Sequence, residues 1–196
     1  MILFDLDGTL VDTAPDLGYA LNLQRERHGL PFLPQEQIRP YASHGSKGLL
    51  WIGFGLTPED PGFGEMRTEY LDLYDQVFTR SPELFDGMAA LLQEIEARKL
   101  PWGIVTNKPR RFSEPIVHAT GLSQRISCLV CGDDALNAKP HPDTLLMACR
   151  MTGKVPQHCT YVGDAERDVQ AGKAAGMKTV VALFGYIDDT DQPDRW

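Results

Sequence analysis

The chain has 196 residues, 42% apolar and 23% charged, the proportions of an ordinary globular protein with one domain, or one domain plus an insertion. With 19 Lys and Arg against 27 Asp and Glu the formal charge is −8, which argues against a nucleic-acid binder, because such a protein normally carries a basic patch. No stretch approaches the ~20 apolar residues of a membrane span, no basic-flanked leader is expected at the start, and the default location is the cytoplasm.

The first apolar run, Ile2–Phe4, leads straight into Asp5 and Asp7 in "MILFDLDGT". From Thr13 the pattern turns helical. "DLGYALNLQRERHGL" carries Leu17 and Leu21 at helical spacing and stops at Gly29. Next comes the Gly-rich "YASHGSKGLLWIGFGL", read as a loop with Trp51 and Phe54 packed inside. "EMRTEYLDLYDQVFTR" then places Met66, Tyr70, Leu73, Tyr74 and Val77 on one helical face. Roughly seventy residues without a strand are too many for a crossover. Residues 13–82 are therefore expected to form an inserted helical cap, hung on linkers near 12–15 and 81–87.

After the insertion, strands and helices alternate. "GMAALLQEIEARKL" sets Met88, Leu91, Leu92 and Ile95 on one face. Strand Trp102–Val105 ends at Thr106, Asn107 and Lys108, and "RRFSEPIVHATGL" is helical to Gly121. A strand at 128–130 ends at Asp133 and Asp134, which are expected to cap the following turn, and "HPDTLLMACRMTG" is helical to Gly153. A strand at 160–162 ends near Asp164, and "RDVQAGKAAGMKTVVAL" gives a helix to Gly176 and a last strand at 179–183. Strands apolar on both faces that alternate with helices make an α/β, doubly wound parallel sheet of Rossmann-like form. This core covers 1–12 and 83–196. The acidic tail "IDDTDQPDRW" is expected to be loose.

Cys128 and Cys131 form a C-x2-C spacing. They lie in a strand, where positions three apart face opposite ways, and no second pair follows. They read, with Cys149 and Cys159, as buried reduced thiols.

Ligands of parallel α/β sheets bind outside the carboxyl ends of the strands. The polar residues there are Asp5 and Asp7, Thr106 to Lys108, Asp133 and Asp134, and Asp164 with Asp168; Lys139, in "NAKPHPD", follows the third strand. So many carboxylates do not all stay ionised without a cation. Mg2+, a hard ion that takes carboxylate, carbonyl, water and phosphate oxygens, meets the need.

"DLDGT", Thr106 in "IVTN", Lys139 in "KPHPD" and "GDAERD" together resemble the haloacid dehalogenase-like phosphatase superfamily. The insertion just after the first motif is like that of its phosphoglycolate phosphatase-like branch. The longer runs "LPWGIVTNKPRRFSEP" and "LVCGDD" are also similar to phosphoglycolate and N-acetylmuramic acid 6-phosphate phosphatases. The resemblance implies a Mg2+-dependent phosphatase for a small phosphorylated metabolite. Asp5 would be the nucleophile that forms an aspartyl-phosphate, and Asp7 the acid and base, which also offers its main-chain carbonyl to the metal. Gly8 would allow the sharp turn just beyond the first strand. Thr106 and Lys139 would hold the phosphoryl group, with Asn107 adding a backbone or side-chain contact. Asp164 would bind Mg2+, and Asp168 a metal-bound water or its neighbours. Family members often continue past the position of Trp196 with a further short element.

Substrate recognition is placed in "RPYASHGSKGLL", where Arg39, His44 and Lys47 are the candidates to meet a carboxylate or sugar hydroxyl and glycines let main-chain N–H groups approach an anion. The plain alternative for Arg39 and Lys47 is a solvated surface charge. His141, two residues after Lys139, is a lesser candidate. A sugar phosphomutase and a non-hydrolytic, receiver-like phospho-acceptor are the rival functions. An acid/base two residues after the nucleophile speaks for turnover and against the receiver. Monomer and homodimer both stay open.

Overall fold

The computed structural model describes residues 1–188 and 190–196; Asp189, within the acidic tail, lies outside the described residues. The chain forms two compact units, one of Met1–Asp12 with Glu83–Trp196 and the other of Thr13–Pro82.

The first unit opens with β1 (Ile2–Phe4) and a two-residue strand, β2 (Val11–Asp12). Leu3 and Phe4 are fully buried, which their apolar run requires.

The second unit holds α1 (Ala14–Arg27), α2 (Gln35–Ile38), a 3-10 helix Arg39–His44, α3 (Gly45–Phe54) and α4 (Phe63–Asp75). The Tyr70 hydroxyl of α4 donates to the Leu17 carbonyl of α1 at 3.3 Å, and Gln24 Nε2 donates to the Met66 carbonyl at 2.8 Å. Ser81 closes the unit on itself: its N–H and hydroxyl donate to Asp16 at 3.1 and 3.0 Å. The Gly-rich stretch expected as a loop is instead the 3-10 turn and α3. Its glycines serve packing, since a Cβ on Gly48 would lie 2.6 Å from the Tyr41 carbonyl and one on Gly53 2.6 Å from Leu21 Cδ1. Trp51, expected inside, is 51% exposed. The apolar residues of the next helical pattern are correctly grouped, but the regular helix stops at Asp75, short of Val77.

The first unit resumes with β3 (Glu83–Leu84), α5 (Met88–Ala97), β4 (Trp102–Val105) and α6 (Arg110–Ala119). It continues through β5 (Leu129–Val130), α7 (Asp143–Thr152), β6 (Thr160–Gly163), α8 (Glu166–Ala174) and β7 (Lys178–Val181). β2 and β3 pair antiparallel, Val11 with Leu84 and Asp12 with Glu83, where the chain leaves and re-enters the unit. The main sheet is parallel throughout, in the order β5-β4-β1-β6-β7, and its α/β architecture is the doubly wound class read from the sequence. β1 lies at the centre, with Phe4 opposite Ile104 on one side and Val162 on the other. The strand order reverses direction there, and that reversal opens a crevice beyond the carboxyl ends of β1, β4 and β6.

β7 begins and ends earlier than expected, and Leu183 beyond it is 69% exposed. The tail carries a short 3-10 helix, Pro193–Arg195, where Lys173 donates to the Trp196 carbonyl. All four cysteines are buried free thiols. Burial pushes Cys128 and Cys131 up to about 11 and Cys149 up to about 12, which leaves them un-ionised at neutral pH. No helix among the described residues is long and apolar enough to cross a membrane.

Candidate active site

The centre of the crevice is Asp5. Its own N–H continues the ladder to the Val162 carbonyl at 2.8 Å, so the first residue past β1 is as fixed as the strand itself. Its side chain is almost fully buried, and Oδ1 accepts the Leu6 N–H at 2.8 Å. Lys139 Nζ stands 3.0 Å from Asp5 Oδ1 and 2.7 Å from Asp168 Oδ1.

Lys139 comes from a loop, yet it is tied at both ends. Asn107, just past β4, accepts the Lys139 N–H at 2.9 Å and donates its amide to the Lys139 carbonyl at 2.8 Å. At the far end the ammonium donates to the Tyr161 hydroxyl at 2.6 Å, and that hydroxyl donates to the Val105 carbonyl at 2.7 Å. Thr106 is buried beside Asn107; its N–H bonds the Val130 carbonyl and its hydroxyl accepts the Lys108 N–H at 3.1 Å.

Asp164 follows β6 and is gripped from two distant segments. The Thr9 hydroxyl donates to Oδ1 at 3.3 Å and the Tyr186 N–H to Oδ2 at 2.9 Å. The grip leaves no room for side chains. Gly8 has φ 77°, and a Cβ there would lie 2.1 Å from Asp164 Oδ2; one on Gly185 would lie 2.3 Å from Asp164 Cβ. Tyr186 also donates its hydroxyl to Asp12 at 2.8 Å. Asp168 sits in the first turn of α8, where Oδ2 accepts the Ala165 N–H at 3.1 Å, a charge well placed at a helix start.

One oxygen each from Asp5, Asp164 and Asp168 lies within 4.8 Å of the others, all buried. Burial raises Asp5 above the usual carboxylate range, with Lys139 opposing and Asp168 adding to the rise. Burial, then the charges of Asp5 and Asp168, pushes Asp164 up to about 7. Tyr161 is raised well above its ordinary value by burial and by Asp168 and Asp5. Burial works against the charge of Arg167, but Asp168, Asp5 and Asp164 outweigh it and raise it. Burial first, and mutual repulsion second, thus disfavour ionising these carboxyl groups together. An oxygen-only set of donors in that condition fits a hard divalent cation such as Mg2+.

The other candidates read from the sequence fall in several places. Asp7 is half-buried, with Lys108 Nζ 2.9 Å from its Oδ1. The Asn107 side chain has both ends of its amide engaged with Lys139 and so braces that lysine, which leaves its main chain as the part that can meet a phosphoryl group. Arg39 is half-buried in the 3-10 helix, His44 ends that helix exposed, and Lys47 is exposed in the first turn of α3. His141 pairs with Asp143 at 3.0 Å. Asp134 accepts the Cys131 N–H at 2.7 Å within its own turn, whereas Asp133 accepts the Arg110 N–H at 2.9 Å, at the start of α6. Tyr161, Thr9, Tyr186, Lys108 and Arg167 carry no role in the sequence reading. Lys108 stands in "IVTNKP", beside two of the candidates. A tyrosine inside an apolar strand is a usable signal for a buried hydroxyl that needs a partner; Tyr186 gave no signal.

A family model described as haloacid dehalogenase-like hydrolase matches residues 2–182. An N-acetylmuramic acid 6-phosphate phosphatase of Pseudomonas putida is 40% identical over 195 residues, covering 100% of this chain and 87% of that one. A phosphoglycolate phosphatase of Xanthomonas campestris pv. campestris is 41% identical over 196 residues, covering 100% of this chain and 88% of that one. The crystal structure of a predicted phosphoglycolate phosphatase from Haemophilus somnus superposes with a TM-score of 0.82 at 26% identity, over 96% of this chain and 87% of that one.

Proposed function

This chain belongs to the haloacid dehalogenase-like hydrolase family, and on that footing we propose that it is a Mg2+-dependent phosphatase that hydrolyses a small-metabolite phosphomonoester through an aspartyl-phosphate on Asp5. One observation carries the reading: a buried carboxylate at the central strand end, an ammonium 3.0 Å from it, and two more carboxylates converging on the same point.

Asp5 attacks phosphorus, its oxygen–phosphorus bond forming as the bond to the ester oxygen breaks. Asp7 gives a proton to the departing oxygen. Water then displaces Asp5 from phosphorus while Asp7 takes the proton from that water, and inorganic phosphate leaves. Two easier displacements replace one hard hydrolysis. The Thr106 hydroxyl and Lys139 hold the phosphoryl oxygens, and a fixed donor of this kind is worth ~3–4 kcal/mol in the transition state. Asp5, Asp164 and the Asp7 main-chain carbonyl would hold the ion, with Asp168, already bonded to Lys139 and Ala165, orienting its surroundings. When bound, Mg2+ neutralises and aligns the nucleophile and the phosphoryl group.

Phosphoglycolate is the first substrate proposed and N-acetylmuramic acid 6-phosphate the second, because relatives of both names are equally similar. Both compounds join a carboxylate to a phosphate ester, which suits Arg39, His44 and Lys47 as recognition residues to test. A phosphate-release panel of phosphorylated metabolites is the experiment. Release is expected with Mg2+, is lost with EDTA and returns with added Mg2+. A phosphoenzyme that accumulates without release of phosphate, or activity indifferent to EDTA, overturns the reading.

A further inference from the structure

The geometry points to Lys108 as a positioning residue for Asp7, holding that carboxyl group where it exchanges a proton with the ester oxygen; the inference deepens the proposed phosphatase function and rests on it.

Two lysines reach the site from two loops, and between them they take three of its four carboxylates. Lys139 takes Asp5 and Asp168. Lys108 takes Asp7, with Nζ 2.9 Å from Oδ1 and side-chain exposures of 8% and 17%. A pair this shielded is stronger than one at the surface, where water and salt screen the charges.

The loop that launches Lys108 is itself fixed. Its N–H donates to the Thr106 hydroxyl at 3.1 Å, and its carbonyl accepts the Gly132 N–H at 3.2 Å and the Ser113 hydroxyl at 3.1 Å. A Cβ on Gly132 would lie 2.3 Å from the Asn107 carbonyl, so the loop presses directly on the end of β5. The ammonium therefore has a set origin.

Asp5 shares the ladder of β1. Asp7 lies beyond the end of that strand, next to Gly8 in a positive-φ turn, and the ion pair ties this turn to the braced loop after β4. That tie selects the rotamer of the Asp7 carboxyl group. Fixing the donor of a proton against a leaving oxygen is worth a large factor in rate, and a displacement of about 1 Å costs about a hundredfold.

The test compares two esters. 4-Nitrophenyl phosphate has a leaving group that departs without a proton; an alkyl phosphate, the one turned over fastest in the release panel, does not. Formation of the phosphoenzyme is followed by rapid mixing for each. Lys108→Met is expected to slow that step about a hundredfold for the alkyl ester and less than about threefold for the aryl ester, with Lys108→Arg recovering most of the loss. Lys108→Gln, which keeps a donor, carries the same comparison if the methionine chain does not fold. Equal losses on both esters, or a loss confined to KM, overturn the inference; the second result would make Lys108 a substrate contact. Asp7→Asn is the control. If it shows the alkyl-selective loss and Lys108→Met does not, the inference alone falls. If Asp7→Asn shows no such selectivity, the acid/base reading falls first.

Discussion

At the scale of single residues, the site is governed by what cannot be added as much as by what is present. Asp5→Asn keeps the shape and removes the attacking charge, so phosphate release should fall about a thousandfold or more while the melting temperature stays or rises. A folded Asp5→Asn protein with near-normal turnover would remove Asp5 as nucleophile. Gly8→Ala tests the crowding. Its φ of 77° would cost an alanine about 1–3 kcal/mol. The new methyl would also press on Asp164 Oδ2, 2.1 Å away. The expected result is a lower melting temperature together with a rise of about tenfold or more in the Mg2+ concentration needed for activity. A variant with normal Mg2+ response would show that Asp164 relaxes without consequence.

At the scale of elements, the loop after β4 and the loop carrying Lys139 behave as one piece because of Asn107. Asn107→Ala removes both bonds to the Lys139 main chain, and the expected cost is about 1–3 kcal/mol of stability. The freed Lys139 should lower kcat about tenfold or more with little change in KM; a change in KM alone would return Asn107 to the role of substrate contact. The elements themselves were legible where their physics is local. Ile2–Phe4 and Trp102–Val105 are apolar runs buried on both faces, and each stops at a polar residue, so both strand and crevice can be read from them. Asp5 and Asp164 follow two such strand ends, and Asp168 joins them from the first turn of α8. The features that escaped such reading depend on partners far along the chain. Gly48 and Gly53 look like a loop until Tyr41 and Leu21 are seen against them. Tyr161 reads as one more apolar strand residue until its hydroxyl is found between Lys139 and Val105. Asn107 offers an amide that sequence alone would give to substrate, and its use on Lys139, 32 residues later, has no local signature. β2 and β3, at two residues each, are too short for any periodicity.

At the scale of the whole molecule, the buried carboxylates tie stability to pH. Burial and the neighbouring carboxylates raise Asp164 from 3.8 in the unfolded chain to about 7 when folded, and Asp5 moves the same way. A raised carboxyl group favours the folded state fully at pH below about 4 and loses that contribution as pH climbs through about 7, a swing of about 4 kcal/mol for Asp164. The metal-free protein should therefore lose melting temperature between pH 4 and pH 7. Asp164→Asn should flatten that slope, and Mg2+ should restore stability at pH 7.5, rising with the logarithm of its concentration once that exceeds Kd. A melting temperature that rises steadily through this window in EDTA would contradict the cluster as described.

The central position of β1 sets the order in which the sheet can close. The strand bearing Asp5 pairs with segments far along the chain, Trp102–Val105 and Thr160–Gly163, and a further clasp on Asp164 comes from Tyr186. Contacts so distant in sequence form late and slowly. A refolding chain must therefore hold an unsheltered apolar β1 until both partners arrive, and the three clustered carboxylates converge only once those long-range pairings are in place.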